Sequence, residues 1–166
     1  MPEKTKTRQD LILLSDGSVN PQSKVGYGAY LLISASEISQ EEFRPQVKVR
    51  RFAPTTSTQL ELQTLLWALN AIAQTDYSLR ICTDSQNIVG LPQRREQMEL
   101  NDYCAKSGRR LNNAALYREF YRQTDRFDCE FVKLAGHLPA KRKTQIDRLF
   151  SLVDKASRQA LRDSND

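Results

Sequence analysis

An α/β chain with a mixed β-sheet is what this sequence predicts. Three observations carry the prediction. Short apolar runs of strand length lie at residues 11–15, 25–34, 47–52, 79–83 and 127–134. Longer stretches with helical patterning separate the later runs. The resulting order is three strands, helix, strand, helices, strand, helix, which fits a sheet covered by helices.

Residues 1–9 are polar and read as a flexible end. Residues 11–15 read as a short, fully buried strand. Gly17, Asn20, Pro21 and Gly26 punctuate the turn after it. In the second strand Gly26 and Gly28 allow close packing, and the third alternates apolar with basic residues, as a half-exposed strand does. These three strands are near enough to form an antiparallel meander. Thr56 and Gln59 have the spacing of a capping box. The helix that follows runs to about Ala73 and is apolar on nearly every side, so it is expected to be buried, Trp67 included. After the strand at 79–83, two or three helices occupy roughly 85–124, broken near Pro92 and Gly108. A strand at 127–134, a basic stretch after His137 and a helix from about Thr144 to Leu161 complete the chain. No repeat, low-complexity tract or linker is visible, so residues 10–162 read as one domain and 163–166 as a flexible tail.

The 166 residues suffice for a sizeable core. No apolar run approaches the roughly 20 residues of a membrane span, and the N-terminus has no apolar signal core. No membrane partner and a cytoplasmic location are therefore expected. Cys82, Cys104 and Cys129 are too few and too dispersed for a disulfide framework or a zinc site. Cys82 and Cys129 read as small core residues. The net charge of +5 is modest, but its distribution is uneven. Residues 133–162 hold eight Lys or Arg against Asp147 and Asp154, and residues 94–126 hold eight against five acids. Cations gathered this way suit a polyanion such as nucleic acid.

Four acidic positions carry the chemistry. Asp16 and Asp84 each end an apolar strand run, where an Asp is commonly a turn or cap residue. Glu61 lies on a helix face with Leu65, Ala68 and Ile72. A carboxylate on that face needs a partner, and the nearby helix N-terminus offsets only part of its cost. A fourth acid, Asp147 or Asp154, lies on the basic C-terminal helix. Carboxylates brought together by the fold repel one another, so they point to a metal-dependent enzyme.

Asp16-Gly17-Ser18, Gly26-Tyr-Gly-Ala29, Thr58-Gln-Leu-Glu-Leu62, Thr83-Asp-Ser-Gln86, Phe131-Val-Lys-Leu-Ala-Gly-His137 and Val153-Asp-Lys-Ala-Ser-Arg158 occur in the order seen in ribonuclease HI. Over about residues 10–162 the chain resembles that family. The resemblance implies a ribonuclease H-like fold: five strands, three antiparallel and then two parallel, flanked by helices. It implies an endonuclease that cuts the RNA strand of an RNA–DNA hybrid with two Mg²⁺ ions, for which Mn²⁺ would substitute. The products would carry 5′-phosphate and 3′-hydroxyl ends. No small-molecule cofactor is expected, and a monomer is.

Carried over residue by residue, the metal ligands are Asp16, Glu61, Asp84 and the fourth acid. Such a set matches the oxygen preference of Mg²⁺ and the needs of two-ion hydrolysis. His137 would assist proton transfer or product release. Asp147 keeps the family's spacing from His137, whereas Asp154 keeps its local pattern, with small Ser157 three residues on. The two lie about 10 Å apart along the helix and can hardly serve one ion pair. Asp154 is favoured, with Asp147 as the alternative. Gly17 and Ser18 would approach the RNA strand. Ser57 and Thr58 stand where the family often has Asn, and Gln86 matches a residue that touches the hybrid. Arg94, Arg95, Arg109 and Arg110 supply a basic region that lacks the Trp some members carry. Two rival readings are a related DNA nuclease of resolvase or transposase type and a binding module that keeps the fold without catalysis. A related ATPase is disfavoured because no Gly-rich phosphate loop is visible.

Overall fold

The computed structural model describes residues 9–73, 76–136 and 138–164. Its strands are β1 (Gln9–Asn20), β2 (Val25–Ser34), β3 (Lys48–Phe52), β4 (Tyr77–Thr83) and β5 (Asp128–Lys133). Its helices are α1 (Ser57–Asn70), α2 (Gln86–Leu100), α3 (Ala114–Thr124) and α4 (Gln145–Asp163). The sheet order is β3-β2-β1-β4-β5. β1, β2 and β3 pair antiparallel, and β4 and β5 run parallel to β1. This is the mixed sheet expected from the sequence.

Helices cover both faces, which explains why β1 is a continuous apolar run rather than an alternating one. Successive strand residues point to opposite faces. Leu13 joins Leu62, Leu65, Leu69 and Phe120 in the core beneath α1–α3. Its neighbours Ile12 and Leu14 join Leu149, Phe150 and Val153 beneath α4. Residues 12–14 are at most 6% exposed, so β1 anchors both cores. At roughly 25 cal/mol per Å², burying a side chain such as Leu13 stabilises the fold by about 2 kcal/mol.

α1 lies unusually close to the sheet. A Cβ on Gly28 would fall 2.0 Å from Thr64 Oγ1, and one on Gly17 would fall 2.8 Å from Leu60. Thr64 Oγ1 donates to the Leu60 carbonyl at 2.7 Å, which satisfies it inside the contact. Glycine at these strand positions lets α1, and with it Glu61, sit against β1 and β2.

Three expectations change. β1 continues to Asn20 instead of ending at Ser15, because the hairpin pairing with β2 runs on to Asn20↔Val25. Asp16 is therefore an inner strand residue. Pro92 does not break its helix: α2 runs through it, because Ile88 before it and Met98 after it are both buried and hold the helix in place. Trp67 is half-buried at the margin of the core, edge-on to Tyr30 at 4.6 Å. Cys82 is buried and Cys129 half-buried, and burial pushes their thiols up to about 11 and about 12. Among the described residues no helix is long and apolar enough to cross a membrane.

Candidate active site

The crevice forms where β1 and β4 part. Their pairing ends at Leu14↔Cys82. β1 carries on beside β2, whereas β4 finishes at Thr83 and turns into α2. Ligand crevices of open α/β sheets lie at such carboxyl ends of parallel strands. Asp16 lies two residues beyond the last β1–β4 pair, and Asp84 lies one residue beyond the end of β4.

Asp16 pairs with Ala29 across the hairpin, and its Oδ1 accepts from the Gly17 amide at 2.9 Å. Its pKa is pushed up from 3.8 to about 8. Burial is the largest cause, followed by the negative charge of Asp84 and a hydrogen bond to the Asp154 carboxylate. The Gly17 amide opposes the rise. Burial and its acidic neighbours thus favour the protonated form of the Asp16 carboxyl.

Glu61 projects from the second turn of α1. Its Oε2 accepts from Ser85 Oγ at 2.6 Å. Its pKa is raised, chiefly by burial and then by the charge of Asp84, while the Ser85 hydroxyl opposes the rise. Ser85 also N-caps α2, because its Oγ accepts from the Ile88 amide at 3.2 Å. One hydroxyl thus starts a helix and aims a carboxylate, which is a charge-assisted bond of the stronger kind.

The two candidate fourth acids part company. Asp154 faces Asp16 and is held from outside by Arg158, whose Nε lies 3.0 Å from its Oδ1. Asp147 is spent on its own helix. Its Oδ2 accepts from the Thr144 amide and hydroxyl, each at 2.8 Å, while its amide donates to Thr144 Oγ1 at 3.2 Å. That is a complete capping box at the start of α4. Asp84, Asp147 and Asp154 all line a cleft of about 170 Å³, together with Lys143, Lys155 and Arg158. Of the two candidate fourth acids it is Asp154, and not Asp147, that acts on Asp16.

Asp16, Glu61, Asp84 and Asp154 thus form one electrostatically linked group. Among the described residues no three or more His, Cys, Asp or Glu side chains make a ready-formed metal site. The donor chemistry fits a hard divalent ion: four carboxylates and no thiolate, with the pKa of Asp16 pushed up by burial and by its acidic neighbours.

The nucleic-acid candidates divide in the same way. Ser57 and Thr58 open the first turn of α1, with Ser57 exposed. Thr56 caps that helix and accepts from the Gln59 amide at 3.3 Å. Gln86 is the exposed first residue of α2. Gly17 packs against Leu60, and Ser18 meets Ser157 at 3.1 Å, tying β1 to α4. Arg94 bonds Asn87 at 3.0 Å. Arg95 is engaged by Glu99 and Asp125 and stacks over Tyr121, so it braces α2 against α3. Arg109 and Arg110 stand exposed on a tight loop that turns at Gly108, with φ +84°. His137 lies outside the described residues. Sequence reasoning overlooked Ser85 as the partner of Glu61. Its cap signature was legible, but its reach to another helix exists only in the fold. Arg158 was findable as the i+4 cation to Asp154.

The family model described as RNase H matches residues 8–155. No curated protein matches the chain. LC9-RNase H1, a solved type 1 RNase H with the type 2 active-site motif, superposes with a TM-score of 0.69 at 19% identity. That match covers 90% of this chain and 72% of the other. The solution structure of the PFV RNase H domain gives 0.67 at 12% identity, covering 92% and 93%. The foamy viral protease-reverse transcriptase in complex with dsDNA gives 0.58 at 11% identity, covering 90% and 93%. At such identities the structural likeness shows the fold alone.

Proposed function

The chain belongs to the RNase H family, and from that premise we propose that it hydrolyses the RNA strand of RNA–DNA hybrids at the Asp16–Glu61–Asp84–Asp154 group. The observation that carries this reading is the gathering of these acids where two parallel strands part. Burial, the charge of Asp84 and the Asp154 carboxylate all push the Asp16 pKa up. A fold that gathers acids at this cost is built to have the cost offset by a cation.

These four residues would hold the metal. Two Mg²⁺ ions, or Mn²⁺ in their place, would supply an activated water and charge stabilisation at the leaving oxygen. The chain's own groups keep the carboxylates in place. The Gly17 amide fixes Asp16, Ser85 fixes Glu61 and Arg158 fixes Asp154. The Ser57 and Thr58 hydroxyls, at the positive end of α1, would meet a 2′-hydroxyl or a phosphate. Gln86, Arg94, Arg109 and Arg110 extend the polar and basic surface on the α2 side. His137 would take a proton or speed product release. Hydrolysis of this kind breaks the P–O3′ bond and leaves a 5′-phosphate and a 3′-hydroxyl.

The test is cleavage of end-labelled hybrid, duplex DNA and duplex RNA, each with Mg²⁺ and with EDTA. Mg²⁺-dependent shortening of RNA in the hybrid alone supports the reading. Cutting of duplex DNA at a comparable rate would favour a resolvase-like nuclease. Binding without cutting would favour a non-catalytic module.

A further inference from the structure

A basic surface separate from the acid group lies on the strand that leads into α1. Between Glu42 and Glu61 the sequence has no acidic residue and carries Arg44, Lys48, Arg50 and Arg51. β3 is an edge strand of the sheet, and residues 48–51 are exposed.

Arg50 is held against aromatic rings, as Arg94 is over Tyr117 and Arg126 over Phe127. Arg80, Arg95, Arg118, Arg122 and Arg158 all pair with acids. Arg50 instead lies over aromatic rings, its guanidinium carbon 5.0 Å from the Phe52 centroid and 6.0 Å from the Trp67 centroid. Tyr30 braces Trp67 from beneath. A guanidinium stacked this way is ordered before any ligand arrives, and its planar N–H fork matches a phosphate. Much of the ordering cost of binding is thereby removed in advance. Cation–π contact does not consume the N–H donors, whereas an acid partner would.

Its position suits the substrate. Arg50 pairs with Gly28, and Gly28 pairs with Gly17, the residue after Asp16. Two strand spacings, about 10 Å, separate Arg50 from Gly17. β3 then leads through Thr56 into Ser57 and Thr58. Arg50 lies on the sheet face that α1 covers, as Gly28 and Gly17 do, and a hybrid extending from the acid group to that side would pass β3.

We propose that Arg50, stacked on Phe52 and Trp67, grips a backbone phosphate on the flank of the hybrid, beyond the cleavage site. This rests on the hybrid-nuclease reading and adds a contact outside its catalytic group. The test is fluorescence anisotropy in EDTA across a salt series, with a short hybrid confined to the crevice and a longer one extending past β3. On the long hybrid, Arg50→Ala is expected to weaken binding about fivefold and to reduce the slope of log K against log salt by about one. The short hybrid is expected to bind both proteins alike. Arg50→Leu, which keeps the packing on Trp67, is expected to behave like Arg50→Ala. Arg50→Lys is expected to restore the slope and part of the affinity. Unchanged affinity and slope on the long hybrid would overturn the proposal, as would equal losses on both hybrids. Failure of the underlying reading shows separately, as hybrid bound by the wild-type protein but left uncut in Mg²⁺.

Discussion

Gly28→Ala is expected to loosen α1 from the sheet and cripple the acid group from a distance. The added Cβ would lie 2.0 Å from Thr64 Oγ1 and 2.9 Å from Thr64 Cβ and Cγ2. Rotating Thr64 moves Oγ1 and Cγ2 but leaves the 2.9 Å contact to its Cβ, which is fixed to the helix. Ordinary contact begins near 3.4 Å, so α1 must retreat by about half an ångström. Thr64 is 1% exposed. Overpacking of this kind costs about 1–3 kcal/mol, and disturbing the bond from Thr64 to the Leu60 carbonyl adds about 1. The expected loss is about 2–4 kcal/mol, read as a lower urea midpoint with an unchanged m-value. Glu61 rides on the same helix, three residues before Thr64. Displacements approaching 1 Å at a catalytic group can cost about 10²-fold in rate. Adding Thr64→Ala should recover part of both losses. Gly90→Ala is the control: nothing lies within 4 Å of its would-be Cβ, and in mid-helix it should stabilise by about 0.5–1 kcal/mol. Stability of Gly28→Ala within 0.5 kcal/mol of wild type would refute the close-approach account.

Three further outcomes follow from the site. The folded pKa of Asp16 is about 8 against an ordinary 3.8, so the folded state holds this proton more tightly than the unfolded state does. Its contribution is full below about pH 4 and is lost as pH rises through about 8. In EDTA the wild type should lose about 3 kcal/mol more than Asp16→Asn over that window, about half the ideal linkage because one side of the crevice is open to water. Mg²⁺ should abolish the difference in slope, and identical urea midpoints at every pH would count against the coupled carboxyls. Asp147→Asn should cost about 1 kcal/mol through the α4 cap and leave cutting near wild type, whereas Asp154→Asn should abolish cutting. Equal, mild losses of activity in both would show the assignment of the fourth acid to be wrong. Ser85→Ala should lower stability by about 1–2 kcal/mol and raise the Mg²⁺ concentration needed for half-maximal activity, because it removes both the α2 cap and the partner of Glu61. An unaltered Mg²⁺ response would argue that Ser85 is only a cap.

The sheet was legible because its signals are local and strong. Both-face burial wrote itself into residues 12–14 as an unbroken apolar run. Gly26 and Gly28 marked a place of close approach, although the sequence does not say that Leu60 and Thr64 are what approach. The end of β1 was misplaced because Asp16-Gly17-Ser18 has turn chemistry, and hairpin pairing overrides it. Pro92 misled for a related reason: a missing amide is a local cost, and Ile88 and Met98 outweigh it through tertiary contacts. Asp147 and Asp154 could be ranked in the sequence only by pattern. What separates them is a capping box for one and a facing Asp16 for the other. The reach of Ser85 to Glu61 and the place of Trp67 beside Arg50 depend on contacts between elements. The cap signature of Ser85 and the i+4 spacing of Arg158 are the traces they left along the chain.

The most direct test of the central claim compares wild type with Asp84→Asn on end-labelled hybrid in Mg²⁺. Asp84 lies at the end of β4, and its charge acts on both Asp16 and Glu61. The account expects wild type to shorten the RNA strand only when Mg²⁺ is present. Asp84→Asn should stay folded, by its circular dichroism and urea midpoint, and leave the RNA intact. Full cutting by Asp84→Asn, or undiminished cutting by wild type in EDTA, would contradict it.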